Sequence, residues 1–246
     1  MSAIQKQDGC SEADARRHIW LFDSKGLVHA DRTDQLVGHK KIFAHKLPGA
    51  IAGSDLLSAV QLLKPTGLVG VSAQGASFTE AVCKEMAKNN EAPLILALSN
   101  PTSKAECTSA QAYEWTGGKC VYFSGSPMES YTMPDGRVIV PGQGNNAYIF
   151  PGVGLGAIAV EAQTITDEDF EVAATCLASL VSEERLQQGC AYPPVKDIRA
   201  VSLQVAAAVA YNCVKEGRVS RRVARANYSF DDVLKRCSDL MYVPKY

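Results

Sequence analysis

The residues best suited to chemistry lie in short polar segments that follow apolar runs. Asp23-Ser24-Lys25-Gly26 follows Ile19-Trp20-Leu21-Phe22, and Ser72-Ala73-Gln74-Gly75 follows Leu68-Val69-Gly70-Val71. Ser99-Asn100-Pro101-Thr102 and Ser124-Gly125-Ser126-Pro127 follow two further runs. Any one of these segments alone reads as a turn. Together they predict a ligand site, because a doubly wound parallel sheet binds ligands beyond the carboxyl ends of its strands. Asp23 is placed to accept hydrogen bonds from the hydroxyls of an adenosine ribose, as an acidic residue does at the end of the second strand of a nucleotide-binding βαβ unit. Ser24, Lys25, Lys40 and Lys41 could hold a 2′-phosphate through charge-assisted hydrogen bonds. On charge alone, the simpler reading of these lysines is a solvated turn face.

Gln143-Gly144-Asn145-Asn146 adds neutral amides that both donate and accept. Asn145 and Asn146, with Asn100 from another strand end, could grip a carboxylate and a hydroxyl without adding charge. An Asn-rich helix cap is the plainer alternative for the pair. General bases are harder to find. His18, His29, His39 and His45 are scattered among polar residues, and none has an obvious carboxylate orienter. The phosphate-cradling G-x-G-x-x-G expected before Asp23 is missing. Gly152-Val153-Gly154-Leu155-Gly156 does not replace it, because it does not lie between a strand and a helix of a βαβ unit; it predicts close helix packing instead.

The elements that must position these residues alternate. Residues 11–18 read as a helix with Ser11 as N-cap, followed by the apolar run 19–22. Ser54 is expected to cap a helix carrying Leu56, Leu57, Val60, Leu62 and Leu63, ending before Pro65. Leu68–Ser72 reads as a strand, and Thr79 caps a helix ending at Asn89-Asn90. Pro93–Ser99 is almost continuously apolar, as in a strand covered on both faces. Residues 106–116 read as a helix and 121–124 as a strand. This alternation predicts an α/β fold, a doubly wound Rossmann-type parallel sheet. Beyond Val140 the pattern turns helical over 147–162, 167–182, 198–216 and 229–240. The expected organisation is a partial nucleotide-binding domain over 1–163, truncated at its N-terminus, with a C-terminal helical layer over 164–246 packing on it.

Composition narrows the function classes. The 246 residues are 46% hydrophobic and 21% charged, with a net charge of −1, so no polybasic field points to nucleic acid or an anionic membrane. No apolar run reaches the length of a membrane span. The eight cysteines stand singly, without CxxC pairs or zinc-like spacing, and read as reduced, mostly buried thiols. The polar residues 1–18 are unlike a signal peptide. The expected compartment is the cytoplasm, or the mitochondrion if a presequence lies upstream.

At this point the segments resemble a known family. Ile19–Leu27 is similar to the strand and turn of NADP-type malic enzymes, and Phe43-Ala44-His45, Lys64-Pro65-Thr66, Gly70-Val71-Ser72 and Phe78-Thr79 continue the likeness. Ala97–Cys107 resembles the family's LSNPT-x-x-AEC segment. Ser124–Pro127, Pro141–Gly152, Tyr192-Pro193-Pro194 and Val201-Ser202 follow in the family's order, so the likeness covers roughly residues 9–220.

The resemblance implies that Asn100 and Asn145 hydrogen-bond malate, and that Asn146 lies beside both substrate and nicotinamide. It places Asp23 on the adenosine ribose, and Ser24, Lys25 and Lys40 on the 2′-phosphate. Gly70, Val71 and Ser72, with Asn100, would border the cofactor, NADP in preference to NAD. The implied reaction oxidises malate at C2 by hydride transfer to NADP⁺, then decarboxylates the product to pyruvate, with Mn²⁺ or Mg²⁺ polarising the C2 oxygen. The complete enzyme is expected to be a homo-oligomer. The family's proton-transfer pair and metal carboxylates have no counterparts here, and neither Glu106 nor Asp135 takes over their roles. The chain therefore reads as the cofactor- and substrate-binding portion of a malic enzyme, inactive alone. A non-catalytic binding or assembly module derived from one is the alternative. A dehydrogenase for another hydroxy acid is a third reading, disfavoured by the joint presence of the LSNPT and QGNN segments.

Overall fold

A computed structural model describes residues 2–32, 36–50 and 55–243. The chain divides into two compact units, residues 1–144 with 188–190, and residues 145–187 with 191–246.

In the first unit, helices α1 (Ser2–Asp8) and α2 (Glu12–Arg17) lead into strands β1 (Phe22–Asp23) and β2 (Gly26–Leu27). Short α3 (Gly38–Lys41) and α4 (Leu56–Leu63) follow. Then come β3 (Gly67–Gly70), α5 (Glu80–Asn89), β4 (Leu94–Ala97), α6 (Ser109–Thr116) and β5 (Val121–Ser124). A small hairpin, β6 (Tyr131–Thr132) and β7 (Val138–Ile139), precedes β8 (Gly142–Gln143). Strands β3-β4-β5-β8 form one parallel sheet in that order. The alternation of strand and helix anticipated this α/β fold.

Local chemistry explains where the helices start. Ser11 Oγ accepts from Asp14 N–H and Thr79 Oγ1 from Val82 N–H, as their positions predict. Thr108 and Gln111 form a capping box at α6. That cap starts the helix three residues later than expected, leaving Glu106 outside it. The expected cap Ser54 lies outside the described residues, and Asp55 caps α4 instead.

Because β3, β4 and β5 are adjacent and consecutive, right-handed crossovers put α5 and α6 on one face of the sheet. That face is packed with Leu68, Val82, Met86, Ile95, Ala97, Tyr113 and Tyr122. The other face keeps Val69 62%, Val71 72% and Leu94 42% exposed. The continuous apolar run of β4 predicted burial on both faces, but here only Ile95 and Ala97 are fully covered.

The run ending at Asp23 also differs from expectation. It does not join the parallel sheet as a second βαβ strand. Asp23 pairs with Gly26 and Phe22 with Leu27 in a two-residue antiparallel hairpin. Gly26, at a φ of 104°, turns the chain back, and Val28 N–H bonds Leu21 C=O at 2.8 Å.

The second unit comprises α7 (Phe150–Ala159), α8 (Asp167–Ser179), α9 (Glu183–Gln187), α10 (Ile198–Lys215), α11 (Arg221–Ala224) and α12 (Phe230–Leu240). Helix α10 is its centre and packs on α7, α8 and α12 around Val153, Val205, Val209, Cys213, Val233 and Cys237. The division falls after Gly144, earlier than the expected boundary at 163, because α7 shares a core with α10. The buried carboxylate of Asp169 holds Arg218, Asn212 Nδ2 and Thr166 N–H at 2.8 to 2.9 Å. All eight cysteines are free thiols, six of them buried. Among the described residues no helix is long and apolar enough to cross a membrane.

Candidate functional site

The predicted site residues fall into two clusters in the first unit and one segment in the second. The first cluster surrounds Asp23. Lys40 Nζ lies 2.5 Å from its Oδ2 and Arg32 Nη1 lies 3.0 Å from Oδ1. The Lys25 N–H bonds Oδ1 at 3.0 Å. Partial burial alone would raise the pKa of this carboxyl, but Lys40, the Lys25 N–H and Arg32 outweigh it and hold the value at about 2. Asp23 is thus a fixed anion between two cations, with Ser24 and Lys25 exposed beside it. Lys40 stands on the short helix α3. An ammonium has three donors, so Lys40 can keep Asp23 and still donate to a phosphate oxygen. Arg32, with a side chain only 7% exposed, was missed in the sequence, since it sits in an ordinary polar turn.

The second cluster lies at the carboxyl ends of β3, β4 and β5, where the sheet rule put the site. Gly70 ends β3, and Val71 to Gly75 are exposed. Asn100 follows β4, and its Oδ1 accepts Ser126 Oγ–H at 2.5 Å from the loop after β5. Gly125 permits this approach, because a Cβ there would stand 2.4 Å from Leu98 O and 2.9 Å from Asn100 Nδ2. Ala73 N–H donates to Ser99 Oγ at 2.9 Å, joining the loops after β3 and β4. An open cleft of about 580 Å³ lies between residues 73–76 and residues 102–111. Beneath these loops Glu106 is completely buried and accepts from Ser99 Oγ at 2.5 Å. The sequence marks Glu106 only as one acid between Ala105 and Cys107, so this contact was not legible there.

The third segment belongs to the second unit. Asn145 Oδ1 accepts Ala147 N–H at 2.8 Å and caps the short helical turn Asn146–Tyr148. The cap reading of the Asn pair therefore holds for the oxygen of Asn145. Its Nδ2 makes no protein hydrogen bond among the described residues, and the side chain of Asn146 is exposed.

Parallel strands whose carboxyl ends carry glycine-bearing, solvent-open loops define a Rossmann-type nucleotide-binding unit. Comparison with known proteins supplies the family. The profile described as "Malic enzyme, NAD binding domain" matches residues 1–214. The chain is 46% identical over 211 residues to the NADP-dependent malic enzyme of Mus musculus, covering 86% of this chain and 36% of that protein. It is 44% identical over 243 residues to NADP-dependent malic enzyme 2 of Arabidopsis thaliana, covering 99% of this chain and 40% of that one. The solved malic enzyme of Entamoeba histolytica shares the fold, with a TM-score of 0.65 at 22% identity over 90% of this chain and 41% of its own length. This chain belongs to the malic enzyme family and carries its NAD-binding domain.

The residues present fit a nicotinamide dinucleotide better than a metal. The exposed loop at 71–75 leaves the end of β3 open to a cofactor, and the cations at Asp23 suit a phosphate. Among the described residues no group of three His, Cys, Asp or Glu could hold a metal ion.

Proposed function

We propose that this chain is the cofactor- and substrate-binding portion of an NADP-dependent malic enzyme. NADP, when bound, supplies the acceptor for the hydride that leaves malate C2 on the way to pyruvate and CO₂. The supporting observation is the junction of the β3 and β4 loops through Ala73 N–H and Ser99 Oγ, which puts Gly70–Ser72 and Asn100 on adjoining strand ends of the family's domain.

In this reading Asp23 orients the adenosine ribose, and Ser24, Lys25 and Lys40 receive the 2′-phosphate. Gly70, Val71 and Ser72 border the dinucleotide. Asn100 and Asn145 offer amide groups to malate, and Asn146 lies beside substrate and nicotinamide. The neutral amides orient a dianionic substrate without fixing it by charge, so that a bond can be broken within it. The chain spans 36% to 40% of the curated relatives just compared, so the complete reaction belongs to this segment joined to the remainder of such a protein. There the expected assembly is a homo-oligomer in the cytoplasm, or in the mitochondrion, where one human relative is named as mitochondrial.

The test is malate-dependent NADPH formation with Mn²⁺, run on this chain and on the same chain joined behind the upstream part of a malic enzyme. Activity in the joined protein only, with NADPH binding by both, is expected. No activity in either, together with no NADPH binding, would overturn the proposal in favour of a module that kept the fold without the chemistry.

A further inference from the structure

Glu106 is the only acid besides Asp169 that is completely buried among the described residues. It stands between the turn that follows β4 and the cap of α6. A carboxyl with no water around it needs hydrogen bonds from its neighbours. Among the described residues both of its donors come from one residue: Ser99 Oγ–H reaches Oε1 at 2.5 Å and Ser99 N–H reaches Oε2 at 3.4 Å. Ser99 Oγ in turn accepts Ala73 N–H at 2.9 Å. The result is a three-member chain, from a backbone N–H through a hydroxyl to a carboxyl, in which each bond polarises the next.

The far end of that chain is under backbone strain. Ala73 has a φ of 56° and Ala76 a φ of 57°, a region unfavourable for any residue with a Cβ. Such conformations persist only where the surroundings fix them. Ala73 is fixed through Ser99, and Ala76 through its N–H to Ala105 C=O at 3.1 Å. Both tethers lead to the 99–106 segment. Gly70 lies flat against Glu106, for a Cβ there would stand 2.3 Å from the carboxyl carbon. The carboxyl thus supports the loop after β3 from below while its partner Ser99 leads directly into Asn100.

We infer that Glu106 is a positioning residue. Through Ser99 it holds the Val71–Gly75 loop in its strained form against the cofactor. This inference rests on the proposed reading of that loop as a dinucleotide contact. Glu106 touches neither substrate nor cofactor, and its influence passes through Ser99 and Ala73.

The experiment compares the unsubstituted chain with Glu106→Gln, Ser99→Ala and the double variant. The Gln amide keeps one acceptor for the hydroxyl but turns N–H groups toward Ser99 N–H. Each single change is expected to weaken NADPH binding about tenfold, the double change to cost no more than either single one, and hydrogen exchange at the Ala73 amide to quicken in all three. Asp169→Asn, which breaks the buried network of the other unit, serves as the control for general destabilisation: it should lower the melting temperature with NADPH affinity unchanged. NADPH binding by Glu106→Gln and Ser99→Ala equal to that of the unsubstituted chain would overturn the inference and leave the function standing. So would slow exchange at Ala73 in both variants. Failure of the unsubstituted chain to bind NADPH, together with an inactive joined protein, would overturn the functional reading itself, and the Ala73 exchange rates would then decide the hydrogen-bonded chain by themselves. If Glu106→Gln does not fold, Ser99→Ala alone carries both readouts.

Discussion

The ammonium of Lys40 sits 2.5 Å from Oδ2 of Asp23, seventeen residues away in the chain. On the proposed reading this contact favours NADP, because it puts a cation beside the acid assigned to the ribose. A 2′-phosphate brings negative charge to that spot, and a bare 2′-hydroxyl does not. Lys40→Met should weaken NADPH binding about tenfold and NADH binding less than about twofold. Fluorescence titration of both nucleotides reads the difference, and equal losses for the two would dismiss Lys40 as a phosphate contact.

The same ion pairs give Asp23 an acid-dependent part in stability. Its folded pKa, about 2, is below the unfolded value of about 3.9. A depressed carboxyl stabilises the fold fully above the unfolded value, and the contribution fades as pH falls from about 4 towards 2. Asp23→Asn should therefore cost most near neutral pH and little at pH about 2.5. Melting temperatures of both proteins across that range test it. A gap that widens on acidification would reverse the assigned sign.

In the second unit Arg218 grips both oxygens of Asp169 at 2.8 Å. Burial works to raise the Asp169 pKa, but Arg218, Thr166 N–H and Asn212 drive it below the usual carboxylate range. Arg218→Met removes the cation and leaves a completely buried carboxylate. It should destabilise the unit by about 3–5 kcal/mol. Urea unfolding at pH 7 measures the loss, and a change below about 1 kcal/mol would show that water reaches Asp169.

Much of the architecture was legible because its local rules agree with one another. The apolar runs at 68–71, 93–99 and 121–124 and the caps Ser11 and Thr79 each obeyed a short-range rule, and the sheet followed. The short run at 19–22 misled because hydrophobicity marks extended chain without naming its partner; Gly26 decided in favour of a hairpin. The contact face of Asp23 was partly legible as lysines, yet Arg32 was not, since a buried ion pair made across a turn has no sequence period. Glu106 was hidden for the same reason: its burial depends on Gly70, from a different strand end. At Asn145 the plainer of the two readings is the one seen, its oxygen capping the turn Asn146–Tyr148.

The glycine run at 152–156 was read as a packing device, and the structure separates its members. A Cβ at Gly156 would stand 2.5 Å from Ala206 O on α10, and one at Gly152 would stand 2.7 Å from Val205 Cγ1. At Gly154 nothing lies within 4 Å. The two outer glycines therefore bring α7 against α10, while the middle one faces open space and only adds backbone freedom to the unfolded chain. Gly154→Ala should stabilise the unit by about 0.5–1 kcal/mol through helix propensity. Gly156→Ala should destabilise it by about 1–3 kcal/mol, because the obstructing atom is backbone and α10 cannot yield without moving its own core contacts. Thermal melts of the two variants must therefore shift in opposite directions. Stabilisation by both would mean that α7 can pull away from α10 at little cost, and the close packing assigned to Gly156 would have to be abandoned.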